Sequence, residues 1–201
     1  EAGFTRDLLQ AGQRAYRLRA DELLLTALSR VLCSWSEQPA LTLHLESHGR
    51  APLFEDIDLS RSVGWFTSLY PVRLQPEAEL GASLKAIKEQ LRAVPDLGLG
   101  FGQLAQQGQL TERVPQLLFN YLGQFDEGEG GLRLREGGLW READAPMDAA
   151  LVINAEQRGG ALQLHIDFNP AQLTRNTKQL HIVERFTRVA KDRLLYQFRV
   201  E

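Results

Sequence analysis

Glu46, His48 and Arg50 stand at alternate positions near the end of an alternating apolar run. A carboxylate, an imidazole and a guanidinium are side chains that move protons and steady charge. From residue types alone, two readings of Glu46 stay open. It is a general base if aromatic residues such as Trp65, Phe66 and Tyr121 exclude water and raise its pKa. Or it is a solvated strand-end carboxylate paired with Arg50, since most charged side chains are exposed. Histidine as a type suits proton transfer near neutral pH, but His48 reads more simply as a residue that positions its loop. Asn120 and Tyr121 offer hydrogen-bond donors, either to orient a substrate carbonyl or amine or to be satisfied inside a buried strand. Trp65, Phe66 and Tyr70 sit at strand spacing, where aromatics form core or wall.

Two other clusters carry less. Glu46, His48, Asp56 and Asp58 match no familiar metal spacing, and aspartates just before Leu59 cap or solvate a turn, so no metal is expected. Gly98, Gly100 and Gly102 have the look of a phosphate-cradling loop. No strand precedes them and no acidic residue follows at the dinucleotide-binding distance, so a turn is expected instead.

These residues need elements to hold them. Leu41, Leu43 and Leu45 alternate with Thr42, His44 and Glu46, which predicts a strand with Glu46 on the side away from the leucines. Trp65 to Leu74 predicts a second strand, at an edge or bulged because of Pro71. Gln116 to Tyr121 predicts a third. Ala150–Glu156 and Ala161–Phe168 flank Gln157-Arg158-Gly159-Gly160, a hairpin signal.

Three helices are expected around them. Asp21 is placed to cap one carrying Leu24, Ala27, Leu28, Val31, Leu32 and Trp35, ended by Pro39. Leu80, Leu84, Ile87 and Leu91 mark another, with Lys85, Lys88 and Arg92 on its polar side. Pro170 opens a third through Leu173, Leu180, Val183, Phe186, Ala190 and Leu194. The first twenty residues form a polar entry segment with a short helix near Thr5–Gln10. Residues 126–148 hold seven acidic and three basic side chains with five glycines and predict an acidic loop, at most a weak hairpin.

The chain has 201 residues and 22.6 kDa, with 43% hydrophobic and 24% charged residues, which excludes a disordered or collagen-like protein. A net charge of −3 argues against a nucleic-acid binder held by bulk electrostatics. No apolar run approaches the roughly 20 residues of a membrane span. Cys33 is the single cysteine, so neither an internal disulfide nor a cysteine zinc site is available, and a cytoplasmic protein is expected. One α/β (α+β) domain spanning 1–201, a mixed β-sheet packed by α-helices, follows.

Four blocks go beyond pattern: Glu46-Ser47-His48-Gly49-Arg50, Arg61 to Pro71 with Gly64-Trp65-Phe66-Thr67 at its heart, Pro95-Asp96-Leu97-Gly98-Leu99-Gly100-Phe101-Gly102, and Phe119-Asn120-Tyr121-Leu122-Gly123-Gln124-Phe125-Asp126. In this order the chain resembles the epimerization domains of nonribosomal peptide synthetases, within the condensation-domain superfamily, from about residue 5 to 196. The resemblance implies one of two lobes, each like chloramphenicol acetyltransferase, with the active site in a channel between them. The family's paired-histidine motif, His-His-x-x-x-Asp-Gly, belongs to the first lobe and does not occur here, so the chain looks like the C-terminal lobe with the N-terminal lobe absent. Ser47 stands where the family commonly has glycine, and a serine is strained wherever φ is positive.

What the resemblance implies for chemistry is removal and return of a Cα proton on an L-aminoacyl or peptidyl thioester. The substrate would be carried on phosphopantetheine of a peptidyl carrier protein, with no cofactor bound directly. Glu46 is the implied catalytic carboxylate, and His48, Trp65, Asn120 and Tyr121 the channel-lining or orienting residues. The isolated chain is expected to be inactive. A lobe that docks a carrier without chemistry, and a fragment of a peptide-bond-forming condensation domain, are the rival readings. The basic residues Lys85, Lys88, Arg92, Arg185, Arg188, Lys191 and Arg193 are solvated faces, or meet an acidic carrier surface.

Overall fold

A computed structural model describes residues 2–51, 55–110, 116–125, 147, 149–169, 182–190 and 193–200. Five strands form one mixed sheet: β1 (Leu41–Ser47), β2 (Ser68–Leu74), β3 (Leu117–Phe125), β4 (Leu151–Arg158) and β5 (Ala161–Phe168), in the order β2-β1-β3-β4-β5. β1 is parallel to β3 and β3 to β4, while β1/β2 and β4/β5 are antiparallel. Pro71 lies on β2 at the sheet edge, where a residue without an N–H costs the ladder nothing. The β4–β5 hairpin turns through Gly159 and Gly160, both at positive φ, as a two-residue turn of this twist requires.

Strand alternation gives the sheet two unlike faces. Leu43, Leu45, Tyr70, Val72, Leu74, Phe119, Ile153 and Ala155 form the buried core with Leu25 of α2 (Ala20–Ser36) and Ile87 and Leu91 of α3 (Leu80–Arg92). The alternate positions, including His44, Glu46, Asn120, Asn154 and Glu156, lie on the second face.

The helices depart from sequence expectation at their ends. α1 runs over Ala2–Tyr16, well beyond the short helix expected. Tertiary contacts explain the extension: buried Thr5 accepts the Leu162 N–H through Oγ1 at 3.0 Å, and Lys88 Nζ donates to the carbonyls of Tyr16 and Arg17 at the far end. Asp21 is not the cap of α2; Arg19 holds that position. Glu22 reaches back to accept the Arg19 N–H at 2.8 Å, while Asp21 takes the Arg19 guanidinium. The glycine-rich stretch after α3 forms a tight turn over Pro95–Gly98, with Asp96 and Leu97 in left-handed backbone, and a short helix α4 (Phe101–Gln106) that periodicity had not announced.

The helix expected from Pro170 is not what the structure has where it is described. Residues 170–181 lie outside the described residues, and beyond them β6 (Ile182–Ala190) and β7 (Arg193–Val200) pair antiparallel as a separate two-stranded sheet. The sequence there is rich in residues that favour extended backbone, with Ile182, Val183, Thr187 and Val189 on one strand and Tyr196, Phe198 and Val200 on the other. The acidic loop expected at 126–148 lies almost wholly outside the described residues. Among the described residues, no helix is long and apolar enough to cross a membrane.

Candidate active site

The parallel pairing of β1 and β3 aligns His44 with Leu118 and Leu45 with Phe119, which brings Glu46 beside Asn120. Asn120 Nδ2 donates a 3.0 Å hydrogen bond to Glu46 Oε2. Glu46 is half-buried, and desolvation pushes its carboxyl above the ordinary glutamate range. The result is a carboxylate more basic than one in water, held in a fixed direction by an amide. That combination suits a group that must take a proton and give it up.

The polar line continues across the sheet. Asn120 is in register with Asn154, and Asn154 with His165, so one row of polar side chains crosses β1, β3, β4 and β5. Glu156, only 2% exposed, lies next to that row with Arg158 Nε at 3.2 Å and His165 Nε2 at 3.7 Å. Sequence reasoning did not single out Asn154, Glu156 or His165 as site residues. Their signal was parity alone, polar residues alternating with the apolar ones of a hairpin, and parity does not say which strands become neighbours.

The other expected site residues fall into separate places. His48 is exposed, and its Nδ1 accepts the Arg50 N–H at 3.0 Å, so the ring shapes the turn after β1. Gly49 is required there: φ is +62°, and a Cβ would lie 1.5 Å from the Phe66 carbonyl oxygen. Arg50 does not serve as the partner of Glu46. Its Nη1 donates to the Leu59 carbonyl at 2.7 Å, and the guanidinium lies 4.3 Å over the Phe66 ring. Ser47 is an ordinary β1 residue opposite Ser68 and not at positive φ, so serine in place of glycine carries no strain.

Tyr121 follows Asn120 and therefore points the other way. It packs on the core, where burial first and the charge of Asp21 second raise its phenol pKa. Trp65 is 92% exposed, Phe66 is half-buried, and Tyr70 belongs to the core. Asp58 accepts from both the N–H and the hydroxyl of Ser60, closing a turn.

A cleft of about 400 Å³ opens at the β1–β2 edge of the sheet, and Glu46 itself is not part of its lining. Its wall includes Leu69, the cross-strand partner of Glu46, and His44, two residues before Glu46 on the same face. Phe66, Leu99 and Phe101 complete its apolar lining. Gly98 lets the chain pass against Tyr70, for a Cβ there would meet the ring at 2.0 Å.

A model of the condensation domain family matches residues 3–194. The chain belongs to the condensation-domain family. It is 35% identical over 184 residues to bacitracin synthase 2 of Bacillus licheniformis, covering 86% of this chain and 7% of that protein. One of the linear gramicidin synthase polypeptides of Brevibacillus parabrevis is 47% identical over 135 residues, 62% of this chain and 3% of the relative. Among solved structures, the epimerization domain from the third module of tyrocidine synthetase B superposes with a TM-score of 0.73 at 29% identity, over 87% of this chain and 43% of that one. The X-domain from teicoplanin biosynthesis, at 21% identity and a TM-score of 0.57, shares the fold. The mixed sheet packed by helices is thus the condensation-domain, chloramphenicol acetyltransferase-like fold. The chain spans less than half of the structural relatives and a small part of the curated ones.

Proposed function

We propose that this condensation-family chain is the C-terminal lobe of an epimerization domain in a cytoplasmic nonribosomal peptide synthetase. The observation that carries the proposal is the Glu46–Asn120 pair, a half-buried carboxylate of raised pKa held at 3.0 Å on the second face of the sheet. The substrate is an L-aminoacyl or peptidyl thioester on the phosphopantetheine of a peptidyl carrier protein. Its thioester acidifies the Cα proton. One group removes that proton, the electron pair passes into the thioester carbonyl as an enolate, and a second group returns a proton to the opposite face. Glu46 is one of the two groups. The other is a histidine of the first lobe, which this chain does not include, so the chain alone is inactive.

The exposed Val63 and Trp65, 100% and 92% accessible, lie in the loop before β2 and fit a contact with that first lobe. The similarity to the tyrocidine epimerization domain supports the choice of reaction. The family match itself, to the condensation domain, favours peptide-bond formation as the second reading. An assay with both lobes, a donor aminoacyl carrier and an acceptor aminoacyl carrier separates the two. Epimerization predicts loss of Cα configuration on the donor with no dipeptide. Dipeptide formed with configuration retained would overturn the proposal in favour of condensation.

A further inference from the structure

The cleft lies on the same face of the sheet as Glu46, linked to it through His44 and Leu69. A Cα poised over the Glu46 carboxylate has the cleft within reach in one direction: His44 lies about 7 Å along β1, at roughly 3.3 Å per residue, and Leu69 is directly across the β1–β2 pair. Phe66, Leu69, Leu99 and Phe101 supply the apolar part of the lining beside polar Thr67 and Ser68, and buried His44 lies by Phe101 with ring centroids 6.3 Å apart. The volume of about 400 Å³ falls within the range of small-molecule pockets.

We propose that this cleft receives the side chain of the residue being epimerized, and that it favours a large apolar or aromatic one. The inference rests on the epimerization reading for the identity of the ligand, while the cleft itself is geometry. Leu69 and Phe101 set its breadth. Neither touches the reacting atoms, so they determine specificity and not the chemistry. An alternative occupant of the same space is the pantetheine arm, which is common to every substrate. That difference makes the proposal testable.

The probes are stable amide analogues of phenylalanyl, leucyl and alanyl N-acetylcysteamine thioesters, titrated into the 201-residue chain and followed by NMR. Binding is read directly, so the result does not depend on whether the protein epimerizes anything. Each buried methylene is worth roughly fourfold in affinity. In a half-open cleft the leucyl and phenylalanyl probes are expected to bind about tenfold or more tightly than the alanyl probe. Leu69→Trp, which fills the cleft from a half-exposed position, should abolish that gradient, and Phe101→Ala, which widens it, should shift preference toward the phenylalanyl probe. Equal binding of all three probes would overturn the proposal, as would a gradient that Leu69→Trp leaves intact. Equal weakening of all three by Leu69→Trp would overturn it too, assigning the cleft to the pantetheine arm. Loss of epimerization in the two-lobe protein with the gradient preserved would count against the reaction and leave the side-chain pocket standing.

Discussion

Replacing Asn120 by alanine removes the amide that donates to Glu46 Oε2, and the consequence has a definite sign. The bond stabilises the carboxylate over the carboxylic acid, so losing it raises the pKa of Glu46 further above the value that desolvation already gives it. A hydrogen bond to a charged group contributes about 1.5–3 kcal/mol, and the partial exposure of this pair argues for the lower end. At about 1.36 kcal/mol per unit, that corresponds to an upward move of about one pKa unit. Carboxyl-carbon NMR of Glu46 in the intact chain, titrated in the wild type and in Asn120→Ala, measures it directly. In the two-lobe protein, the limb of the pH–rate profile that Glu46 sets should move upward by the same amount, whether Glu46 takes or returns the proton. A Glu46 midpoint that stays put or falls would refute the reasoning, for it would mean that Asn120 does not sense the charge.

The same pair makes a stability prediction. Burial raises the folded-state pKa of Glu46, so its contribution is intact below the unfolded value of about 4.3 and is lost as pH rises through the folded value. Glu46→Gln removes the ionisation and keeps the amide bond, so the variant should unfold at higher denaturant than wild type at pH 7. Its advantage should vanish below about pH 4, and an advantage independent of pH would count against a desolvated carboxylate. Gly49→Ala forces a side chain into left-handed backbone, costing about 1–2 kcal/mol, and into the Phe66 carbonyl as well. Urea denaturation should therefore show a loss above about 2 kcal/mol, whereas a change under about 0.5 kcal/mol would mean that the turn after β1 is looser than the structure has it.

Much of this arrangement was legible in the residues, and the exceptions have physical causes. Alternation in Leu41–Glu46 and the glycines of Gly159-Gly160 depend on local sterics, so strand, hairpin and the facing of Glu46 could be read directly. Pro71 marked an edge because a missing N–H is a local property. The pairing of β1 with β3, which places Asn120 on Glu46, joins residues 74 apart in sequence, and no local rule contains that information. Tyr121 shows the same limit from the other side: it neighbours Asn120 in the chain, yet strand parity sends it into the core. The C-terminal stretch fits two periods, since apolar residues spaced for a helix also include the β-branched and aromatic ones that β6 and β7 use.

Deuterium wash-in at Cα of a carrier-bound aminoacyl thioester, catalysed by the two-lobe protein in heavy water, tests the role of Glu46 most directly. With Glu46→Gln the exchange rate should fall by about 100-fold or more, as expected when a general acid–base group is lost, while carrier binding is unchanged. Exchange that persists at the wild-type rate in the variant would contradict the account and reduce the Glu46–Asn120 pair to a structural contact.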